Sequence, residues 1–140
     1  MKYDRQFTIV VPKYSNAGER IDTSFAKKFS LRMAEEFGGV TVHPTVLGCW
    51  EARRDGKPVL ECEENLLITS AVDSSNMSKD ELERKRKFVE RLAKEIGNEL
   101  GQESVMVVED LIDRVEFVEG HYRKSLPAKT ERDFFKKLLD

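Results

Sequence analysis

Apolar positions recur along this chain with two different periods, and the switches between them lay out its elements. Phe7, Ile9 and Val11 alternate with Thr8 and Val10, and Pro12 closes the run, so a first strand is predicted there. Tyr14-Ser15-Asn16-Ala17-Gly18 reads as a loop. Phe25, Phe29, Met33 and Phe37 then recur every four residues with Ile21 and Ala26 beside them, the spacing of one helix face. Asp22 is placed to cap the first turn of that helix, and Gly38-Gly39 to end it. A second helix opens at the capping box Ser78-Lys79-Asp80-Glu81. It carries Leu82, Val89, Leu92, Ala93, Ile96 and Leu100 on one stripe until Gly101 stops it.

Between the helices, residues 40–71 read as two strands joined by Arg54-Asp55-Gly56-Lys57. Val40, Val42, Val46 and Trp50 share one side of the second strand, and Leu60, Cys62, Leu66 and Ile68 share one side of the third. A two-residue turn would place these sets on opposite faces. A three-residue loop over Arg54-Asp55-Gly56 sets Trp50 opposite Leu60, Gly48 opposite Cys62, Pro44 opposite Leu66 and Val42 opposite Ile68. The second register gathers the apolar residues together and is the expected one, with Trp50 in the core. Pro44 marks an edge position or a bulge in the second strand.

Residues 105–108 predict a fourth strand, and Val115, Phe117 and Val118 a further short one. Thr130-Glu131-Arg132-Asp133 resembles a capping box, followed by a short helix with Phe134, Phe135, Leu138 and Leu139 along one side. The predicted order, βαββαβ, is that of a ferredoxin-like α+β sandwich, a four-stranded antiparallel sheet with two helices on one face. A short C-terminal strand and helix are added to it. The expected organisation is a ferredoxin-like domain over residues 1–120 and a basic extension over 121–140, whose helix is expected to dock by its phenylalanines.

The chain has 140 residues, enough for one domain with a single core. Charged residues make up 36% and apolar residues 39%, a globular rather than a disordered composition. With a net charge of −2 there is no global pull toward a polyanion. The first residues run straight into the first strand, and no apolar stretch approaches the ~20 residues of a membrane span. A cytoplasmic protein with no membrane partner is therefore expected. The cysteines, Cys49 and Cys62, match no zinc or redox spacing. In the expected register Cys49 points out and Cys62 in, so no disulfide is expected, and both read as small apolar residues of a reducing compartment.

Three segments resemble a bacterial family of small proteins of unknown function. They are Phe37-Gly38-Gly39-Val40-Thr41-Val42; Gly48-Cys49-Trp50-Glu51 with Gly56, Glu61 and Asn65-Leu66-Leu67-Ile68; and Gly101-Gln102-Glu103-Ser104-Val105-Met106-Val107-Val108. The resemblance implies a ferredoxin-like fold. It implies no activity and no catalytic residues, because the family has none established. Many of its members carry an export signal, which is not expected here.

The register leaves Thr41, His43, Thr45, Leu47, Cys49 and Glu51 facing outward on the second strand. Val59, Glu61, Glu63, Asn65 and Leu67 face outward on the third. Of these, His43, Thr45, Glu63 and Asn65 are the candidate ligand-binding residues on the open sheet face, where a small molecule would sit. His43 and Cys49 lie about 20 Å apart at strand rise, so they share no metal and form no nucleophile–base pair. No metal site, cofactor or catalytic residue is assigned. RNA-recognition domains of the same topology stack bases on aromatics of the first and third strands. Here those positions hold Thr8, Val10, Glu61 and Glu63, which argues against nucleic acid. The expected function is a binding or assembly module without a catalytic role, acting as a homodimer. The alternative is a small dimeric α+β-barrel-type enzyme with a ligand cavity on the open face.

Overall fold

The computed structural model describes residues 3–120. Along the chain come β1 (Tyr3–Pro12), α1 (Thr23–Phe37), β2 (Thr41–Arg54), β3 (Lys57–Val72), a 3-10 turn (Ser74–Asn76), α2 (Lys79–Leu100) and β4 (Val107–Val115). The four strands form one antiparallel sheet in the order β2-β3-β1-β4. The expected C-terminal helix lies outside the described residues.

Both helices start and stop where the sequence predicts. The Asp22 carboxylate accepts from Ser24 N and the Ser78 hydroxyl from Glu81 N, while Gly38 and Gly101 end the two helices in the left-handed conformation. Their apolar stripes close over one side of the sheet. Phe29 and Met33 of α1, and Val89, Leu92 and Ile96 of α2, bury with Phe7, Ile9, Val11, Leu66, Ile68 and Val72. Lys28–Glu99 (2.7 Å), Lys85–Glu36 (3.0 Å) and Arg32–Glu95 join the two helices at the rim. Arg32 holds the Glu95 carboxyl below its ordinary range.

β4 is longer than the apolar run that predicted it. It reaches Val115, which pairs with Tyr3, so Val115 ends β4 rather than opening another strand, and Phe117 and Val118 lie beyond it. The acidic residues inside β4 obscured the strand. Glu109 accepts from Arg86 Nε of α2 and from Arg5 Nη1 of β1, both at 2.7 Å. The Arg86 hydrogen bond is the main reason its carboxyl stays below the usual range. β4 is thereby clamped to a helix and to its neighbouring strand by one carboxylate.

The hairpin departs from the expected register over most of its length. Asp55 (φ 53°) and Gly56 (φ 74°) are both left-handed, as a two-residue type I′ turn requires, and Arg54 pairs with Lys57. From the turn, Trp50 faces Glu61, Cys49 faces Cys62 and Val46 faces Asn65. Between His43 and Val46 the register shifts. Below the shift His43 faces Leu67 and Val42 faces Ile68, as expected. Two residues of β2, Pro44 and Thr45, thus oppose the single residue Leu66, which is a β-bulge. Proline has no N–H to give to the ladder, so the bulge sits where the ladder is already broken.

Two expectations fall with the register. Cys49 and Cys62 face each other with Cα atoms 4.1 Å apart and form a disulfide. Trp50 joins Glu61 on the side away from the helices and is 44% exposed, not in the core. Trp50 is apolar, but no layer of the described residues covers this part of the sheet, because β1 pairs with β3 only over residues 65–72. Residues 46–64 are a two-stranded ribbon roughly 25 Å long. Phe29→Ala should therefore cost about 3–5 kcal/mol, whereas Trp50→Ala should cost less than about 1 kcal/mol. Urea denaturation of both variants checks the assignment, and equal losses would contradict it.

Candidate functional site: the open sheet face and the root of the ribbon

Facing residues of paired strands share a side of the sheet. The side opposite the helices therefore carries Gln6, Thr8, Val10 and Pro12 of β1; Asn65, Leu67, Thr69 and Ala71 of β3; Thr41 and His43 of β2; and Val108 and Asp110 of β4. The Thr8 and Thr69 hydroxyls meet at 3.0 Å in its centre. Over the body of the sheet Asp110 brings the one fixed charge to this set, whereas Glu63, Glu61, Lys57 and Arg54 add charge where the same side continues onto the ribbon. Away from the ribbon, the face is a nearly uncharged surface of threonine, valine and leucine.

Three of the four candidate residues, His43, Glu63 and Asn65, lie along its ribbon end, whereas Thr45 falls in the bulge, where the alternation that would have put it there is broken. Asn65 is buried, with its Nδ2 donating to the Glu63 carbonyl at 3.3 Å. Gly48 opposes Glu63, and a Cβ there would lie 3.1 Å from Asn65 Nδ2, so the glycine makes room for the amide. Glu63 and Asn65 are therefore neighbours on one side of β3. His43 is exposed and faces Leu67, four residues from Glu63, or roughly 13 Å along the strand. His43 and Glu63 cannot pass a proton directly across that distance. Thr45 sits in the bulge and accepts from Lys13 Nζ at 2.9 Å.

Lys13 is the residue that sequence reasoning missed. It follows Pro12 at the end of β1 and reads as an ordinary surface cation, yet it is only 7% exposed. Its backbone N–H extends the β1–β3 ladder to the Glu64 carbonyl (3.1 Å). Its side chain crosses to β2 and holds the bulge. A cavity of about 10 Å³ beside it, lined by Val11, Arg20, Asp22, Thr23 and Leu66, is no larger than one water. The only signal for Lys13 in the sequence was a cation directly continuing a strand that is otherwise apolar. Cys49 and Glu51, expected on the open face, lie on the other side of the ribbon with Cys62 and Leu60.

No protein-family model matches the chain, and no curated protein does. Among solved structures it is similar to a phage SAM lyase in complex with S-methyl-5′-thioadenosine. That match has 18% identity and a TM-score of 0.56, over 88% of this chain and 95% of that one. The apo state of the phage SAM lyase gives 18% identity and a TM-score of 0.52, over 86% and 94%. GlnK of B. subtilis, in its ATP complex, is more distant, with 17% identity and a TM-score of 0.45 over 77% and 82%. At these identities the likeness to the phage protein establishes a shared α+β fold and nothing of the chemistry.

The Lys13–Thr45 bond makes a direct prediction. Thr45→Val keeps the shape of the side chain but removes the acceptor from a mostly buried ammonium. It should lower unfolding free energy by about 1.5–3 kcal/mol, measured by urea denaturation. A loss no larger than that of an exposed surface threonine would mean that Lys13 does not hold the bulge.

Proposed function

We propose that this chain is a ferredoxin-like binding or assembly module without a catalytic role, and that it works as a homodimer joined through the open sheet face. The observation that carries this reading is the depletion of charge on that face over the body of the sheet, away from the ribbon. Interface centres lose charged residues relative to the rest of a surface. Here threonine, valine and leucine fill the face while lysine, arginine and glutamate crowd the helices. A second copy presenting the same face matches it in polarity and needs no buried ion pairing. The glutamates at its ribbon end, Glu61 and Glu63, would repel a phosphate backbone, so nucleic acid is not the expected partner.

The segments that resemble the small bacterial family support the same reading, and we propose membership on that ground. They fall at the start of β2, on the ribbon and at the α2–β4 junction. We propose a cytoplasmic setting, on the sequence alone, since the disulfide overturns the reading of both cysteines as reduced apolar residues. In that setting the Cys49–Cys62 pair would be held mainly as thiols.

The second reading, a small dimeric enzyme with a ligand cavity between two open faces, is favoured by one observation. His43, Asn65 and Glu63 all lie on the face that a second copy would cover. S-methyl-5′-thioadenosine, bound by the phage protein of similar fold, is the first ligand to try. Light scattering coupled to size exclusion on the full chain should give twice 16.1 kDa at micromolar concentration. Val10→Glu with Leu67→Glu should return the monomer while keeping the fold by circular dichroism. A wild-type monomer, or a dimer untouched by both substitutions, would overturn the interface. Saturable calorimetric binding of the thioether nucleoside to the dimer would favour the enzyme reading instead.

A further inference from the structure

The ribbon has very little to hold it together besides the Cys49–Cys62 bond. Among the described residues its strands pair only with each other, since β1 reaches no further along β3 than Asn65 and the single bond from Lys13 N to the Glu64 carbonyl. Its apolar side chains are at best partly buried: Leu47 is 69% exposed and Leu60 70%, and Trp50 and Val59 are also exposed. Arg54–Glu61 is a surface pair of small worth. An isolated two-stranded hairpin is at best marginally stable in water. A cross-strand disulfide closing a segment of sequence separation 13 opposes that by restricting the disordered alternatives.

Both cysteines are exposed, so the bond is open to attack from solvent. The bulge at Pro44 and Thr45, held by Lys13, separates the ribbon from the body of the sheet. Loss of ribbon order can therefore stop there without reaching the core. We propose that Cys49–Cys62 is a thiol-controlled latch. Oxidised, it keeps residues 46–64 as an ordered ribbon that presents Leu47 and Leu60 on either side of the disulfide. Reduced, it lets the ribbon disorder as far as the bulge while β1, α1, α2 and β4 stay folded.

The switching step is thiol–disulfide exchange with a dithiol reductant. Its thiolate attacks one sulfur, the S–S bond breaks, and the other cysteine leaves as a thiolate. The reductant's second thiol then displaces the first cysteine. The reductant departs as a disulfide, two electrons have passed to the pair, and Cys49 and Cys62 end as thiols. The inference does not depend on how two copies associate.

Hydrogen exchange on the full chain, followed by mass spectrometry with and without a phosphine reductant, tests it. On reduction the hydrogen-bonded amides of residues 46–64 should exchange faster by about tenfold or more, while those of β1 and α2 keep their rates. The Cys49→Ser/Cys62→Ser variant should match the reduced protein and ignore the reductant. The idea is overturned if ribbon protection survives reduction, if the core loses protection with it, or if the oxidised chain carries two free thiols by alkylation.

Discussion

The structure turns on a single extra residue in one strand. At Pro44 and Thr45, β2 spends two residues where β3 spends one, and every side chain beyond that point changes side relative to those before it. Below the bulge Val42 packs toward the helices with Ile68. Above it, Val46, Gly48 and Trp50 lie on the opposite side, and Leu47, Cys49 and Glu51 take the side that Val42 had. The disulfide, the exposure of Trp50 and the room that Gly48 leaves for Asn65 all follow from that shift. Lys13, reaching across β3 to Thr45, holds it from β1.

The bulge also divides the sheet into two physical regimes. Over residues 65–69 of β3, strands flank it on both sides and two helices cover one face, so burial supplies the stability. Beyond Asn65 neither condition holds, and order has to come from the turn, the ladder and the cysteine bond. The nearly uncharged open face spans the first regime, while the exposed leucines and the disulfide belong to the second. A binding or assembly role uses them differently. The face offers a rigid, broad surface, and the ribbon offers an arm whose order can change without disturbing that surface.

The helices were legible because their signals are local: a cap, a four-residue stripe and a terminal glycine each act within a few residues. Phe29, Met33, Leu92 and Ile96 were readable as core for the same reason. The ribbon register was not, because it was inferred by gathering apolar residues onto one face, and that rule holds only where a face is buried. Past the end of β1 nothing rewards the gathering. The local preference of Asp55-Gly56 for a left-handed pair sets the register instead. β4 extends past the apolar run that signals it because Glu109 and Asp110 look like loop residues in the sequence, while in the fold Arg5 and Arg86 pair with Glu109. Of the candidate site, the positions of His43 and Asn65 on the open face were legible from strand alternation near the body of the sheet. The involvement of Lys13 was not, since it depends on a contact across two strand spacings.

The register itself is the most direct point of test. In antiparallel strands the Hα atoms of facing, non-hydrogen-bonded pairs approach closely, and the 4.1 Å Cα separation places Cys49 and Cys62 in such a pair. Nuclear Overhauser spectra of the oxidised protein should show Hα–Hα contacts between Leu47 and Glu64, Cys49 and Cys62, and Glu51 and Leu60. Contacts from both Gly48 Hα atoms to Cys62 Hα, with Trp50 Hα close to Leu60, would mean a ladder without the bulge and would contradict the account.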